Sequence, residues 1–272
     1  MRADAAGRAM LIAQISDFHV TVEGSRAYDR VDTGAALARA VETLNALSPQ
    51  PDLVLCTGDL TQNGTREEYE RLRQLLGGLN APFVPVLGNH DDRIMFRAAF
   101  ADFGIAFEPA SFIQYVVDDY PVCIVVLDTV LEGAGDPAFC EARAQWLRRE
   151  LDRADRPVLI AMHHPPFRTG LSWLDPADAG WSDPIGLAVR GRAAVRRIVC
   201  GHVHRPIQRL WHGVMASTAP ATAHQVFLDL TPGSPPLLSQ EAPGFQLHHC
   251  DGEDFITYTG AIPGFLDTFP ST

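Results

Sequence analysis

Five short clusters of Asp, Asn and His interrupt the first 204 residues: Ser-Asp-Phe-His at 16–19, Thr-Gly-Asp at 57–59, Gly-Asn-His-Asp-Asp at 88–92, Met-His-His-Pro-Pro at 162–166 and Cys-Gly-His-Val-His at 200–204. The chemistry-bearing residues among them are Asp17, His19, Asp59, Asn89, His90, His163, His202 and His204. Carboxylate, amide-oxygen and imidazole donors without a thiolate suit divalent ions of borderline hardness, namely Zn, Mn, Fe or Co. Taken singly, each cluster also reads as a turn or a helix cap, because Asn and Asp after Gly hydrogen-bond their own backbone and tolerate left-handed φ. Gly88 in particular reads as a bend that ends the apolar run Pro82–Leu87. Taken together, five unrelated turns would have to choose ligand side chains independently. Seven of these donors exceed the needs of one open metal site, whereas two ions sharing one carboxylate would use all seven.

These clusters need strands and helices to bring them together. Apolar runs at 10–16, 51–59, 83–89, 122–129, 157–164 and 196–204 read as strands. Helical spacing appears at 32–47, with Asp32 or Thr33 as N-cap, at 65–79, where Thr65 and Glu68 form a capping-box pattern, and at 141–154. Strand–helix alternation predicts βαβ units and a mainly parallel sheet covered by helices, in which the C-terminal strand ends line one edge and bind ligands. After residue 213 the chain is richer in Pro, Thr and Ser, with β-like pieces at 224–230, 245–250 and 255–260. We expect a catalytic core over 10–213, and a segment over 214–272 that completes a second sheet and packs on a partner subunit in a homo-oligomer.

The 272 residues carry a net charge of −11, which argues against a nucleic-acid polymer or an anionic membrane as partner. No apolar run is long enough for a bilayer, and the first ten residues lack the apolar stretch of a signal peptide, so the expected compartment is the cytoplasm. Cys56, Cys123 and Cys200 lie in β-like runs and read as small buried hydrophobes, while a disulfide through Cys250 stays open.

As an ordered set, Asp17-x-His19, Gly58-Asp59, Gly88-Asn89-His90-Asp91, His163 and Gly201-His202-x-His204 resemble the motifs of calcineurin-like metallophosphoesterases over about residues 11–206. The wording of the third, fourth and fifth motifs is most similar to the branch with class III cyclic-nucleotide phosphodiesterases and bacterial glycerophosphodiesterases. The resemblance implies an α/β fold of the αββα sandwich type, with two central mixed sheets flanked by helices. It also implies two divalent metal ions. Asp17, His19 and His204 would hold the first, Asn89, His163 and His202 the second, and Asp59 would bridge. A hydroxide between them would attack phosphorus in line, with His90 contacting a phosphate oxygen or protonating the leaving alkoxide. Asp91 would orient a neighbour, and Asp92 and Arg93 would cap the next helix. By the same resemblance, Tyr28 and His224 would approach the substrate.

Two departures stand out. Gln62 occupies a place where many relatives have an acid, and residues 168–194 form a long insertion whose Trp173 and Trp181 either stack on a base or close the site. The substrate implied is a small phosphodiester, either a 3′,5′-cyclic nucleotide or a glycerophosphodiester. Two rivals are a phosphomonoesterase or protein phosphatase on the same site, with Arg93 and Arg205 as the nearest arginines, and a binding module that has lost the chemistry.

Overall fold

Uninterrupted apolar runs become central strands because both of their faces are covered. The computed structural model describes residues 9–263; the first eight residues, and the last nine of the 214–272 segment, lie outside the described part. In chain order, β1 (Met10–Ile15), α1 (Thr33–Asn45), β2 (Leu53–Thr57), α2 (Arg66–Leu76) and β3 (Phe83–Val86) form two successive parallel βαβ units, followed by α3 (Arg93–Ala99). Next come β4 (Tyr115–Val117), β5 (Cys123–Val126), α4 (Glu141–Arg153), β6 (Val158–Ala161), α5 (Asp183–Val189) and β7 (Val195–Cys200). The chain closes with β8 (Gln208–Trp211), β9 (Val214–Thr218), β10 (Gln225–Val226), β11 (Leu238–Ser239), β12 (Gly244–Cys250) and β13 (Phe255–Ala261).

These strands form two mixed sheets of five and six strands, in the orders β13-β12-β1-β2-β3 and β4-β5-β6-β7-β9-β8, and β10 pairs with β11 alone. Side-chain alternation explains the layering. Ile124 and Val126 of β5 face the core shared with β1, β2, α1 and α2, whereas Cys123 and Val125 face Trp146 and Leu147 of α4 and Ile185 of α5. A polar seam joins the two sheets. Gln14 on β1 donates to Thr57 Oγ1 (2.8 Å) and to the Cys200 carbonyl (2.9 Å), and its own oxygen faces His248 Nε2 on β12 at 2.9 Å.

The expected helix starts are present. Asp32 accepts from Ala35 N–H, and Thr65 and Glu68 make the reciprocal capping box. Asp92 caps α3 by accepting from Ile94 and Met95 N–H. Arg93, by contrast, is drawn away from the cap into an ion pair with the buried Asp128 (2.8 Å). Two expectations need correction. Residues 224–230 are not one strand, since the strand is confined to Gln225–Val226, with one further bond from Phe227 N–H to Leu237 O, and the apolar Phe227, Leu228 and Leu230 stay exposed. The 168–194 insertion is not all loop, because Pro184 sits in the first turn of α5 and Ile185, Ala188 and Val189 bury its inner face. The residues after 213 are shared between the sheets: β9 joins the second beside β7, and β12 and β13 extend the first beside β1. All five cysteines are free thiols, Cys250 included. Among the described residues no helix is long and apolar enough to cross a membrane.

Candidate metal centre and substrate pocket

Parallel strands from both sheets end at one edge, and the five clusters follow β1, β2, β3, β6 and β7 there. Backbone hydrogen bonds lock the loops together. Asp17 N–H donates to Gly58 O (3.1 Å), His19 N–H to Asp59 O (2.9 Å), and Gly201 N–H to His163 O (2.9 Å). Asp17, His19, Asp59, His202 and His204 all hold a left-handed backbone, with φ of 54°, 48°, 48°, 70° and 49°. That conformation is costly for residues with a Cβ, and it persists only where the surroundings over-determine it. Gly88 behaves differently from the expected bend. It is not among the residues with positive φ, and what demands glycine is closeness, since a Cβ there would sit 2.0 Å from Asp59 N.

Asp91 ties two of the loops. Its carboxylate accepts from Gly88 N–H (2.9 Å), Leu60 N–H (3.0 Å), the Thr61 hydroxyl (2.9 Å) and the Tyr69 hydroxyl (3.0 Å). Burial, reinforced by the nearby Asp59 charge, pushes its carboxyl up to about 6.

The ring nitrogens decide what the centre can hold. His163 Nδ1 lies 3.0 Å from the Thr57 carbonyl and His204 Nδ1 lies 2.9 Å from the His224 carbonyl. A carbonyl only accepts, so each Nδ1 carries hydrogen and each neutral ring turns a bare Nε2 inward. Those bare nitrogens meet other acceptors. His163 Nε2 is 3.0 Å from Asn89 Oδ1 and 3.3 Å from Asp59 Oδ1, and His202 Nδ1 is 3.1 Å from the same Asn89 oxygen. His204 Nε2 is 3.1 Å from His19 Nε2 and 3.4 Å from Asp17 Oδ1, and His19 Nε2 is 3.6 Å from Asp59 Oδ2. Two groups of converging lone pairs result, and one oxygen of Asp59 faces each.

Lone pairs packed this closely repel unless a cation or a proton sits among them. Burial opposes ionisation of Asp59, and the imidazole of His163 beside it is the main group favouring its charged form. Although burial opposes it, Asp59 lifts His163 to about 9 and is itself held well below the usual carboxylate range by His163. Burial, aided by the Asp59 charge and opposed by His163, pushes Asp17 up to about 7. Burial also lowers His202 to about 3 and His204 to about 4, keeping both rings neutral and ready to ligate. The donor chemistry therefore fits divalent ions.

His90 stands apart from both groups. Its backbone N–H donates to Asp59 Oδ1 (2.9 Å) and its Nδ1 to the Gln62 carbonyl (2.9 Å), which leaves Nε2 for the pocket it lines. Gln62 thus serves His90 through its backbone. His224 is buried with neither ring nitrogen partnered, and its ring centre lies 4.8 Å from that of His204 and 5.2 Å from those of His19 and Tyr28.

The pocket above this floor holds about 330 Å³. A groove of about 420 Å³ between α2 and α3 is larger but contains none of the clustered residues. Tyr28, Trp173, Leu174, Val226 and Leu238 line one wall, and Gly135 and Asp136 another. Trp181 does not reach it: the ring packs in the core over α5, 6.3 Å from His164. Sequence reasoning missed Gly135, Asp136, Val226 and Leu238, and nothing in the local pattern marks them. The Thr57 and His224 carbonyls were equally invisible, because any residue supplies a carbonyl.

A family model described as calcineurin-like phosphoesterase matches residues 10–206. A probable glycerophosphodiester phosphodiesterase of Arcobacter nitrofigilis is 34% identical over 264 residues, covering 96% of each chain. The 3′,5′-cyclic adenosine monophosphate phosphodiesterase of Pseudomonas aeruginosa is 30% identical, covering 87% of this chain and 84% of its own. Among solved structures, a dimetal phosphatase from Danio rerio superposes with a TM-score of 0.64 at 15% identity, covering 96% of this chain and 100% of that one, which speaks to the fold alone.

Proposed function

The chain belongs to the calcineurin-like phosphoesterase family and is a metal-dependent phosphodiester hydrolase; we propose that it uses two divalent ions to hydrolyse a small diester, a 3′,5′-cyclic nucleotide or a glycerophosphodiester. The observation that carries the dinuclear reading is the pair of lone-pair clusters sharing Asp59. In this reading Asp17, His19 and His204 hold one ion, Asn89, His163 and His202 the other, and Asp59 both. When bound, the ions supply a water acidic enough to attack at neutral pH and positive charge against the phosphoryl oxygens. The chain's own residues do the rest. The Thr57 and His224 carbonyls fix the ligand tautomers, and the left-handed turns aim the side chains. His90, with Nδ1–H spent on Gln62, offers Nε2 to the departing alcohol; protonated there, it passes its proton to the leaving oxygen. Tyr28 and Trp173 lie where the alcohol arms must pass, and His224 backs Tyr28.

Diesters are favoured over monoesters because, among the described residues, no guanidinium lines the pocket. Both nearby arginines are engaged elsewhere: Arg93 grips Asp128 through two nitrogens (2.8 and 3.0 Å), and Arg205 pairs with Glu241 (2.8 Å). A dianionic monoester would find no such clamp. The five free cysteines suit a reducing cytoplasm, and a homo-oligomer built through the apolar 227–238 ribbon is the assembly we favour. Turnover of bis(p-nitrophenyl) phosphate against p-nitrophenyl phosphate, after loading with Mn²⁺, tests the choice. We expect the diester to be preferred; a monoester preference overturns the reading, and loss of all hydrolysis with substoichiometric metal points to a binding module.

A further inference from the structure

Residues 130–137 form a closed loop at the pocket mouth. Ala138 N–H donates to Thr129 O (2.9 Å), Ala134 N–H to Leu131 O (3.1 Å), and Val130 bridges to Pro137. Two buried anchors hold it. At one, His164 Nε2 donates to Gly135 O (3.2 Å), and its Nδ1 accepts from the Thr129 hydroxyl (2.8 Å). At the other, the fully buried Asp128 accepts from Val130 N–H (3.0 Å) while Arg93 donates to Val130 O (2.7 Å). The loop is thus set in place, and it presents Asp136 to the pocket.

Asp136 is exposed and has no hydrogen-bond or ion-pair partner among the described residues. Among the described residues it is the one carboxylate lining the cavity above the floor of Asp59, Asn89 and the histidines, where Tyr28, Trp173, Leu174, Val226 and Leu238 are its companions. A carboxylate beside a bound phosphate anion is unfavourable unless the substrate brings hydrogen-bond donors to it. An alcohol arm bearing hydroxyl or ammonium hydrogens does so; a bare aryl arm does not. Resting on the phosphodiesterase reading, we propose that Asp136 is a specificity-determining residue that accepts hydrogen bonds from the alcohol arm, so that the protein selects diesters whose arm carries such donors.

Three diesters with the same p-nitrophenol leaving group test this on the full, metal-loaded chain: the second arm is p-nitrophenyl, glyceryl or 2-aminoethyl. For Asp136→Ala we expect unchanged metal content and kcat/KM on the bis-aryl ester within about threefold of the parent. On the glyceryl or the aminoethyl ester we expect a fall of about 10- to 100-fold. Asp136→Asn keeps an accepting oxygen without the charge, so it restores a hydroxyl-bearing arm and not an ammonium-bearing one. Equal losses on all three esters, or no loss on any, overturn the assignment while leaving the phosphodiesterase reading intact. Failure of the parent protein to hydrolyse any of the three removes that reading, and the role of Asp136 with it.

Discussion

The floor of the pocket and its walls differ in burial, in backbone and in their distribution along the chain. Floor residues Asp17, His19, Asp59, His163 and His204 are buried, follow central strands and sit in loops tied to one another by main-chain hydrogen bonds. Wall residues Tyr28 and Asp136 are exposed, Trp173 is half-buried, and all three stand on loops that pair with nothing regular. Chemistry that needs atoms placed to a fraction of an ångström is built on the sheets. In the proposed reading, recognition of the alcohol arm falls to loops outside the sheets.

The largest effect should come from breaking the floor at its shared member. Asp59→Ala removes the oxygens facing both clusters, and we expect activity to fall by at least about 10³-fold, with metal lost from both positions by elemental analysis. Near-normal turnover would end the bridging assignment. His90→Ala touches the floor without touching its ligand set, so metal content should hold while kcat falls by roughly 10²–10⁴-fold.

On the walls the expected change is smaller and of another kind. Trp173→Ala should raise KM about tenfold with kcat little altered, the signature of lost uniform binding. A larger KM effect on a cyclic nucleotide than on a glycerophosphodiester would identify the ring as a base-stacking platform, since stacking contributes about 1–3 kcal/mol per base.

The smallest effect lies beneath both regions, in the seam between the sheets. His248 is fully buried, and burial, aided by Arg197, lowers it to about 3. Its neutral form is therefore stabilised in the fold. That contribution is complete above the unfolded value of about 6.5 and is lost as pH falls from there towards 3, at up to about 1.4 kcal/mol per unit. His248→Gln preserves a partner for Gln14 and does not titrate, so its unfolding free energy should fall less steeply between pH 6 and pH 4 than the parent's. Parallel acid slopes would refute this.

Much of the floor was legible because it combines two strong signals: an apolar run long enough for a buried strand and, directly after it, ligand-type side chains. The same combination located β1, β2, β3, β6 and β7. The capping box at Thr65 and Glu68 marked α2 for an equally local reason. What failed had no local signature. α5 is only seven residues long and opens on a proline, so its period cannot be told from a loop. Phe227, Leu228 and Leu230 resemble a strand by composition, yet Pro, Gly and Ser at 232–236 leave too little partner for a ladder. Asp136 is carried to the pocket by a loop held through the Gly135 carbonyl on His164 and the Val130 N–H on Asp128, contacts that no spacing along the chain encodes.

The left-handed turns at Asp17, His19, Asp59, His202 and His204 carry a consequence for descent and for engineering. Each such turn costs about 1–3 kcal/mol, which a glycine in the same place would largely avoid. Selection for stability alone would therefore drive these five positions towards glycine, and only continued selection for hydrolysis resists that drift. A lineage that kept this architecture but abandoned the reaction should show glycine or asparagine accumulating at these turns before its apolar strands change. Stabilising substitutions in this protein belong elsewhere, and a screen ranked by melting temperature would dismantle the enzyme from its turns inward.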